Sequence, residues 1–124
     1  MEPSSHIILL VDDDQSQRSY VREKIEEQFR FTVLEAEDGL EAAQIVLQKK
    51  VSLIVTDLFM PKMNGMEFAY FVKTIPSPPP VIMVSSRASS FEQEKAKQLG
   101  VAQFFEKSEN ISPLIQYIKQ ALDL

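Results

Sequence analysis

Apolar residues gather along the chain in five short runs, at positions 7–11, 31–36, 53–56, 81–85 and 101–105, separated by longer stretches in which they recur every three to four positions. The two spacings predict different elements. Runs that are apolar at nearly every position suit strands covered on both faces, so 7–11, 53–56 and 81–85 are placed in the middle of a sheet. The run 31–36 mixes Thr32 and Glu35 with apolar neighbours, as a strand nearer an edge does. In the intervening stretches, Val21/Ile25/Phe29, Leu40/Ala43/Leu47, Met66/Ala69/Val72, Phe91/Lys95–Ala96/Leu99 and Leu114/Tyr117–Ile118/Ala121 each predict a helix with one buried stripe.

Helix starts are marked as well. Asp14 with Gln17, Asp38 with Glu41, Asn64 with Glu67 and Ser89 with Glu92 have the N-cap to N3 spacing of a capping box, and Ser112-Pro113 predicts a cap followed by Pro at the first helical position. All three glycines, Gly39, Gly65 and Gly100, fall at junctions between elements. Strict alternation of strand and helix implies right-handed crossovers, hence an α/β fold with a doubly wound, five-stranded parallel sheet flanked by five helices.

Composition narrows the classes of function. The 124 residues carry 13 basic and 18 acidic side chains, a formal charge of −5, which fits one domain over 1–124 and disfavours direct binding to nucleic acid or an anionic membrane. There is no Cys, which excludes disulfides, thiolate metal sites and cysteine catalysis. The first apolar run is short and follows Glu2 with no Lys or Arg before it, unlike a secretory leader, and no stretch approaches the ~20 apolar residues of a membrane span. A cytoplasmic protein is expected.

In open parallel sheets the functional crevice lies beyond the carboxyl ends of the strands, where the chain order reverses. The first run ends in Asp12-Asp13-Asp14, the third in Asp57, the fourth in Ser85-Ser86 and the fifth in Glu106-Lys107. Neighbouring strands lie ~4.8 Å apart, so Asp12, Asp13 and Asp57 are expected to converge. Like charges that close either raise a pKa or recruit a cation, and two or three carboxylate oxygens with room for water and a phosphoryl oxygen describe a Mg²⁺ site. Asp14 is assigned to capping the first helix instead. A carboxylate that accepts a phosphoryl group also needs an ammonium and a hydroxyl donor, and Lys107 and Ser85 stand at the same edge of the sheet.

These residues resemble the receiver domain of two-component response regulators (CheY-like), through LLVDDD at 9–14, DLFMPKMNG at 57–65, VIMVSS at 81–86 and GVAQFFEK at 100–107. The resemblance covers essentially the whole chain and implies the flavodoxin/CheY-like strand order 2-1-3-4-5. It implies that Asp57 takes a phosphoryl group from a histidine kinase or histidine phosphotransfer protein, with Mg²⁺ held by Asp12, Asp13, Asp57 and the backbone carbonyl of Phe59. Ser85 would be the switch hydroxyl, Lys107 the phosphoryl-pairing ammonium and Phe104 the switch aromatic. The face of helix 4, strand 5 and helix 5 would then meet a downstream protein target or fused output domain, as a monomer or a phosphorylation-dependent dimer. Such a domain is a self-phosphorylating acceptor with intrinsic autodephosphorylation, not an enzyme.

Three departures from the family pattern stand out. Ser108 follows Lys107 where the family commonly has Pro, and a non-prolyl peptide is expected to be trans. Phe104 has no hydroxyl and can switch only by packing. Phe59 and Arg87 occupy positions that in the family influence how fast the acyl phosphate is lost, and the bulk of Phe59 is expected to hinder water. Other readings compete. A flavodoxin-like carrier would place its flavin phosphate against three aspartates, which repel it. A Mg²⁺-dependent aspartyl phosphatase needs a second acid two residues after its nucleophile, where Phe59 stands. A receiver fold used only for docking, without phosphorylation, remains the principal alternative.

Overall fold

A computed structural model describes residues 6–122; residues 1–5 and 123–124, the two ends of the expected 1–124 domain, lie outside the described residues. The elements alternate as β1 (Ile7–Val11), α1 (Gln15–Gln28), β2 (Thr32–Ala36), α2 (Gly39–Gln48), β3 (Leu53–Asp57), α3 (Gly65–Lys73), β4 (Val81–Ser85), α4 (Ser90–Gln98), β5 (Gln103–Glu106) and α5 (Ser112–Ala121). The strands form one parallel sheet in the order β2-β1-β3-β4-β5, which is the flavodoxin/CheY-like arrangement expected.

Because side chains alternate across a strand, the sheet sorts its residues into two cores. Leu9, Val11, Ile54 and Met83 face α2, α3 and α4, where Phe68, Ala69, Val72 and Ala96 cover them. Ile8, Leu10, Leu53, Val55 and Ile82 face α1 and α5, closed by Val21, Ile25, Leu114 and Ile118. Continuing the alternation past Val55 directs Asp57 to the α1/α5 side, at the carboxyl edge.

Two strand boundaries differ from expectation in a way that matters for the site. β3 runs one residue longer, so Asp57 is part of the ladder opposite Val84. β5 starts at Gln103 and includes Glu106, not 101–105, because the Val101 N–H returns to the Ala96 carbonyl and closes α4. The Ala102 N–H then begins the ladder on the Val81 carbonyl, which sets Glu106 opposite Ser85 and Lys107 just beyond.

Two helical stripes are corrected except at Ala43 and Ala96, which are buried as expected. On α2 the buried positions are Gly39, Ala42, Ala43 and Val46, while Leu40 and Leu47 (67% exposed) lie outside. The Gly39 N–H donates to the Met63 carbonyl, pinning the start of α2 to the β3–α3 loop and turning its small residues, not its leucines, toward the sheet. On α4 only Ala96 is fully buried, and Phe91 is 75% exposed. The last stripe is partly corrected: Leu114 and Ile118 are buried and Tyr117 half-buried, but Ala121 is exposed.

Of the four capping boxes, Asn64/Glu67 and Ser89/Glu92 are reciprocal. Asp14 and Asp38 cap one way only, accepting from Ser16 and Gln17 and from Glu41. Ser112 does not cap α5: it is the first helical residue, and its N–H is satisfied by the Asn110 side chain at 3.1 Å.

Candidate functional site

The carboxyl edge of the sheet gathers the acids that the strand ends carry. Carboxylate oxygens of Asp12, Asp13 and Asp57 lie within 4.8 Å of one another, with Asp12 and Asp57 buried and Asp13 exposed. The chain bends at Asp13, two residues past the end of β1, and the carboxylates of Asp12 and Asp13 lie side by side there. Asp12 Oδ1 accepts the Asp14 N–H at 2.9 Å, and Asp57 Oδ1 accepts the Leu58 N–H at 2.7 Å.

Lys107 closes the cluster. Its Nζ lies 3.0 Å from Asp12 Oδ2 and 3.0 Å from Asp57 Oδ2, so one ammonium joins the ends of β1 and β3. Its backbone N–H donates to the Ser85 carbonyl, which fixes where the side chain leaves β5. No peptide among the described residues is cis, so the Lys107–Ser108 bond is trans, as expected. The loop beyond is held by the Tyr20 hydroxyl, which donates to the Glu109 carbonyl at 2.7 Å.

Burial and charge act together on the titrating groups. For Asp12, burial raises the carboxyl pKa, and the like charge of Asp57 adds to the rise. The hydrogen bonds from the Asp14 N–H and Lys107 oppose it without cancelling it. For Lys107, burial works against the ammonium, but its bonds to Asp12 and Asp57 outweigh burial and hold the pKa above the usual lysine range.

The remaining expected residues sit around this cluster. Ser85 is 2% exposed at the end of β4, and its Oγ accepts the Arg87 N–H at 3.4 Å. Phe59 follows Leu58 at the rim, half out in solvent, with the Arg87 guanidinium 5.6 Å from its ring centre. Phe104, half-buried, packs on the α4 side and lines, with Ser85 and Gln93, a cavity of about 320 Å³. A second cavity of about 280 Å³ runs beneath Asp57 and Lys107 between α1 and α5. Asp14 takes no part in the cluster; its side chain caps α1.

Behind the cluster, the Gly65 N–H donates to the Leu58 carbonyl at 2.8 Å. A Cβ at Gly65 would stand 2.2 Å from the Asp57 carbonyl oxygen, so only glycine lets α3 start this close to the strand that carries the acid.

Sequence reasoning missed Arg18, Arg22 and the full role of Glu35. Arg18 donates through Nη1 to the Asp12 carbonyl at 2.6 Å and through Nε to Glu35 Oε1 at 3.0 Å, and Arg22 Nη1 reaches Glu35 Oε2 at 2.7 Å. The available signal is Glu35 itself, an acid inside an otherwise largely apolar strand.

Residues 8–119 match the family model of the response regulator receiver domain. The chain is 34% identical over 115 residues to the transcriptional regulatory protein CpxR of Klebsiella pneumoniae, covering 93% of this chain and 48% of that protein. It is 30% identical over 116 residues to the transcriptional regulatory protein GlrR of Escherichia coli K12, covering 94% of this chain and 26% of that one. The chain therefore spans less than half the length of these relatives. Among solved structures, a CheY-like response regulator receiver domain protein from Methanospirillum hungatei superposes with a TM-score of 0.90 at 25% identity, covering 97% of this chain and 95% of the other. The chemotaxis response regulator CheY4 of Vibrio cholerae superposes with a TM-score of 0.84 at 26% identity, covering 95% and 99%. A profile matched from the first strand to the last helix, together with this sheet order, decides the classification: the chain belongs to the response regulator receiver domain family.

Proposed function

We propose that Asp57 is the phosphoacceptor of a two-component or phosphorelay pathway. The observation that carries this reading is the 3.0 Å contact of the Lys107 ammonium with Asp57, inside a cluster of three carboxylates at the reversal point of the sheet. An oxygen of Asp57 attacks the phosphorus of a phosphohistidine, the O–P bond forms as the N–P bond breaks, and the imidazole nitrogen leaves with the electron pair. Lys107 pairs with the transferred phosphoryl group, and the Ser85 hydroxyl, buried on the adjoining strand, donates to one of its oxygens.

The donor set suits Mg²⁺. Three carboxylates against one ammonium leave a formal charge of −2, the complement of a divalent ion, and all the side-chain donors are hard oxygens. Asp12, Asp13, Asp57 and the Phe59 carbonyl would hold the ion. Bound there, it would offset the charge that gathers on the phosphoryl oxygens during transfer.

Leu58 and Phe59, which follow Asp57, offer no acid or base, so the chemistry is stoichiometric and no other substrate is turned over. The added charge of about −1.5 to −2 then draws Ser85 inward, and Phe104 moves into the cavity beside it. That repacks the α4-β5-α5 face, which meets a downstream target, an output domain or a second copy. The phosphoryl donor is a histidine kinase or histidine phosphotransfer protein. No helix among the described residues is long and apolar enough to cross a membrane, and the proposed setting is cytoplasmic.

Incubation with acetyl phosphate and Mg²⁺ followed by intact-mass measurement tests the reading. A gain of one phosphoryl group that vanishes in Asp57→Asn supports it. No gain in the parent protein refutes it and leaves the docking module.

A further inference from the structure

We propose that Arg18 is a positioning residue for the acidic cluster: gripped by Glu35, its guanidinium holds the Asp12 carbonyl and, with it, the bend that brings the Asp13 carboxylate beside Asp12 and Asp57. The inference rests on the metal-binding reading of that cluster and adds residues which that reading does not use.

The need for such a device follows from strand geometry. Consecutive side chains of an extended strand point to opposite faces, so Asp12 and Asp13 could not converge if β1 simply continued. They do converge, because the chain bends at Asp13. The peptide plane between the two acids sets that bend, and the carbonyl of Asp12 lies in this plane. The Asp12 N–H makes its bond to the Ala36 carbonyl, at the point where β2 ends. Beyond it the Asp12 carbonyl needs a partner from elsewhere, and Arg18 Nη1 supplies one at 2.6 Å.

Arg18 is itself held. It stands in the first turn of α1 with its side chain 12% exposed, and Nε donates to Glu35 Oε1 on β2. Glu35 Oε2 takes Arg22 Nη1, and Arg22 Nε reaches Glu26 Oε2 at 3.3 Å. Two guanidiniums and two carboxylates sum to zero, so the group lends a hydrogen bond to Asp12 without placing net positive charge beside a site built for a cation. The planar guanidinium can make both bonds in fixed directions, which an ammonium cannot.

The test compares the parent protein with Arg18→Met and Arg18→Lys by Mg²⁺ titration and by amide hydrogen exchange without metal. The Asp14 N–H, bonded to Asp12 Oδ1 at 2.9 Å, reports the geometry of the bend directly. Arg18→Met is expected to weaken Mg²⁺ binding about tenfold or more, the usual cost of losing a group that orients a ligand. It should also speed exchange at residues 12–14 only, and Arg18→Lys should recover part of both effects. Parental Mg²⁺ affinity in Arg18→Met overturns the proposal. So does weakening accompanied by faster exchange throughout β1 and α1, which marks lost stability rather than lost positioning. If the parent binds no Mg²⁺, the phosphoacceptor reading fails on its own account and exchange alone decides: acceleration confined to residues 12–14 supports the grip, and parental exchange refutes it.

Discussion

Replacing Gly65 by Ala adds a single methyl group at the back of the strand that carries Asp57. Its Cβ would meet the Asp57 carbonyl oxygen at 2.2 Å and the Leu58 Cα at 2.9 Å, both backbone atoms that cannot swing aside. The contact must open by roughly 1 Å to become tolerable. Overpacking of this kind costs about 1–3 kcal/mol, and because Gly65 is the first residue of α3 the helix-interior preference for Ala returns little, for a net loss of ~2 kcal/mol. For a chain of this length that lowers Tm by about 8 °C. Because the displaced backbone belongs to Asp57, a shift of that size also slows phosphorylation on the order of 10²-fold. Urea unfolding followed by circular dichroism, alongside acetyl phosphate kinetics, measures both. Gly100→Ala is the internal comparison: its φ is +85° and nothing lies within 4 Å, so it should cost about 1–2 kcal/mol in conformation alone and leave phosphorylation unchanged. A Gly65→Ala protein as stable and as quickly phosphorylated as the parent would show that α3 is not wedged against the strand end, and the reasoning would fall.

Two further expectations concern the rim and the α1 network. Phe59 lies half-exposed against Arg87 at the mouth of the cluster, so Phe59→Asn should open the path for water and shorten the life of the acyl phosphate several-fold, read by loss of the phosphorylated mass with time; equal or slower loss contradicts the shielding role. Glu35 is held below the usual carboxylate range, first by the Arg22 hydrogen bond and then by Arg18, against an opposing effect of burial. A depressed pKa means that the unfolded chain binds the proton more readily, so Glu35 stabilises the fold above its unfolded pKa of about 4.3 and loses that contribution as acid titrates it in the native state. Glu35→Gln should be less stable than the parent at neutral pH, with the gap narrowing on acidification; a gap independent of pH, in urea melts from neutral to strongly acid conditions, rules this out.

What the sequence disclosed depended on whether a residue acts through its own strand or through a neighbour. Asp12, Asp13, Asp57, Ser85 and Lys107 were legible because each ends or closely follows a predicted strand, and parallel strands align their ends. Of the α2 and α4 stripes, Ala43 and Ala96 were legible and the larger residues were not. Leucine and phenylalanine carry the larger transfer energy and so read as core, yet close approach selected Ala42, Ala43 and Ala96, and left Leu47 and Phe91 outside. Ser112 misled because Pro is accepted at either of the first two helical positions, while the side chain that satisfies the helix start comes from Asn110. The link from Arg18 to Asp12 depends on a backbone carbonyl, which no residue pattern advertises.

The sheet also has two open margins, β2 and β5, and each unpaired margin is a template on which another chain could lay a strand. Both are brief, five and four residues. Glu35 sits in one with its two arginines, and exposed Gln103 and Glu106 bound the other. The polar network around Glu35 therefore has a second consequence: a charged residue held by arginines on an edge strand disfavours edge-to-edge aggregation, and a substitution there is expected to show in colloidal behaviour at high concentration.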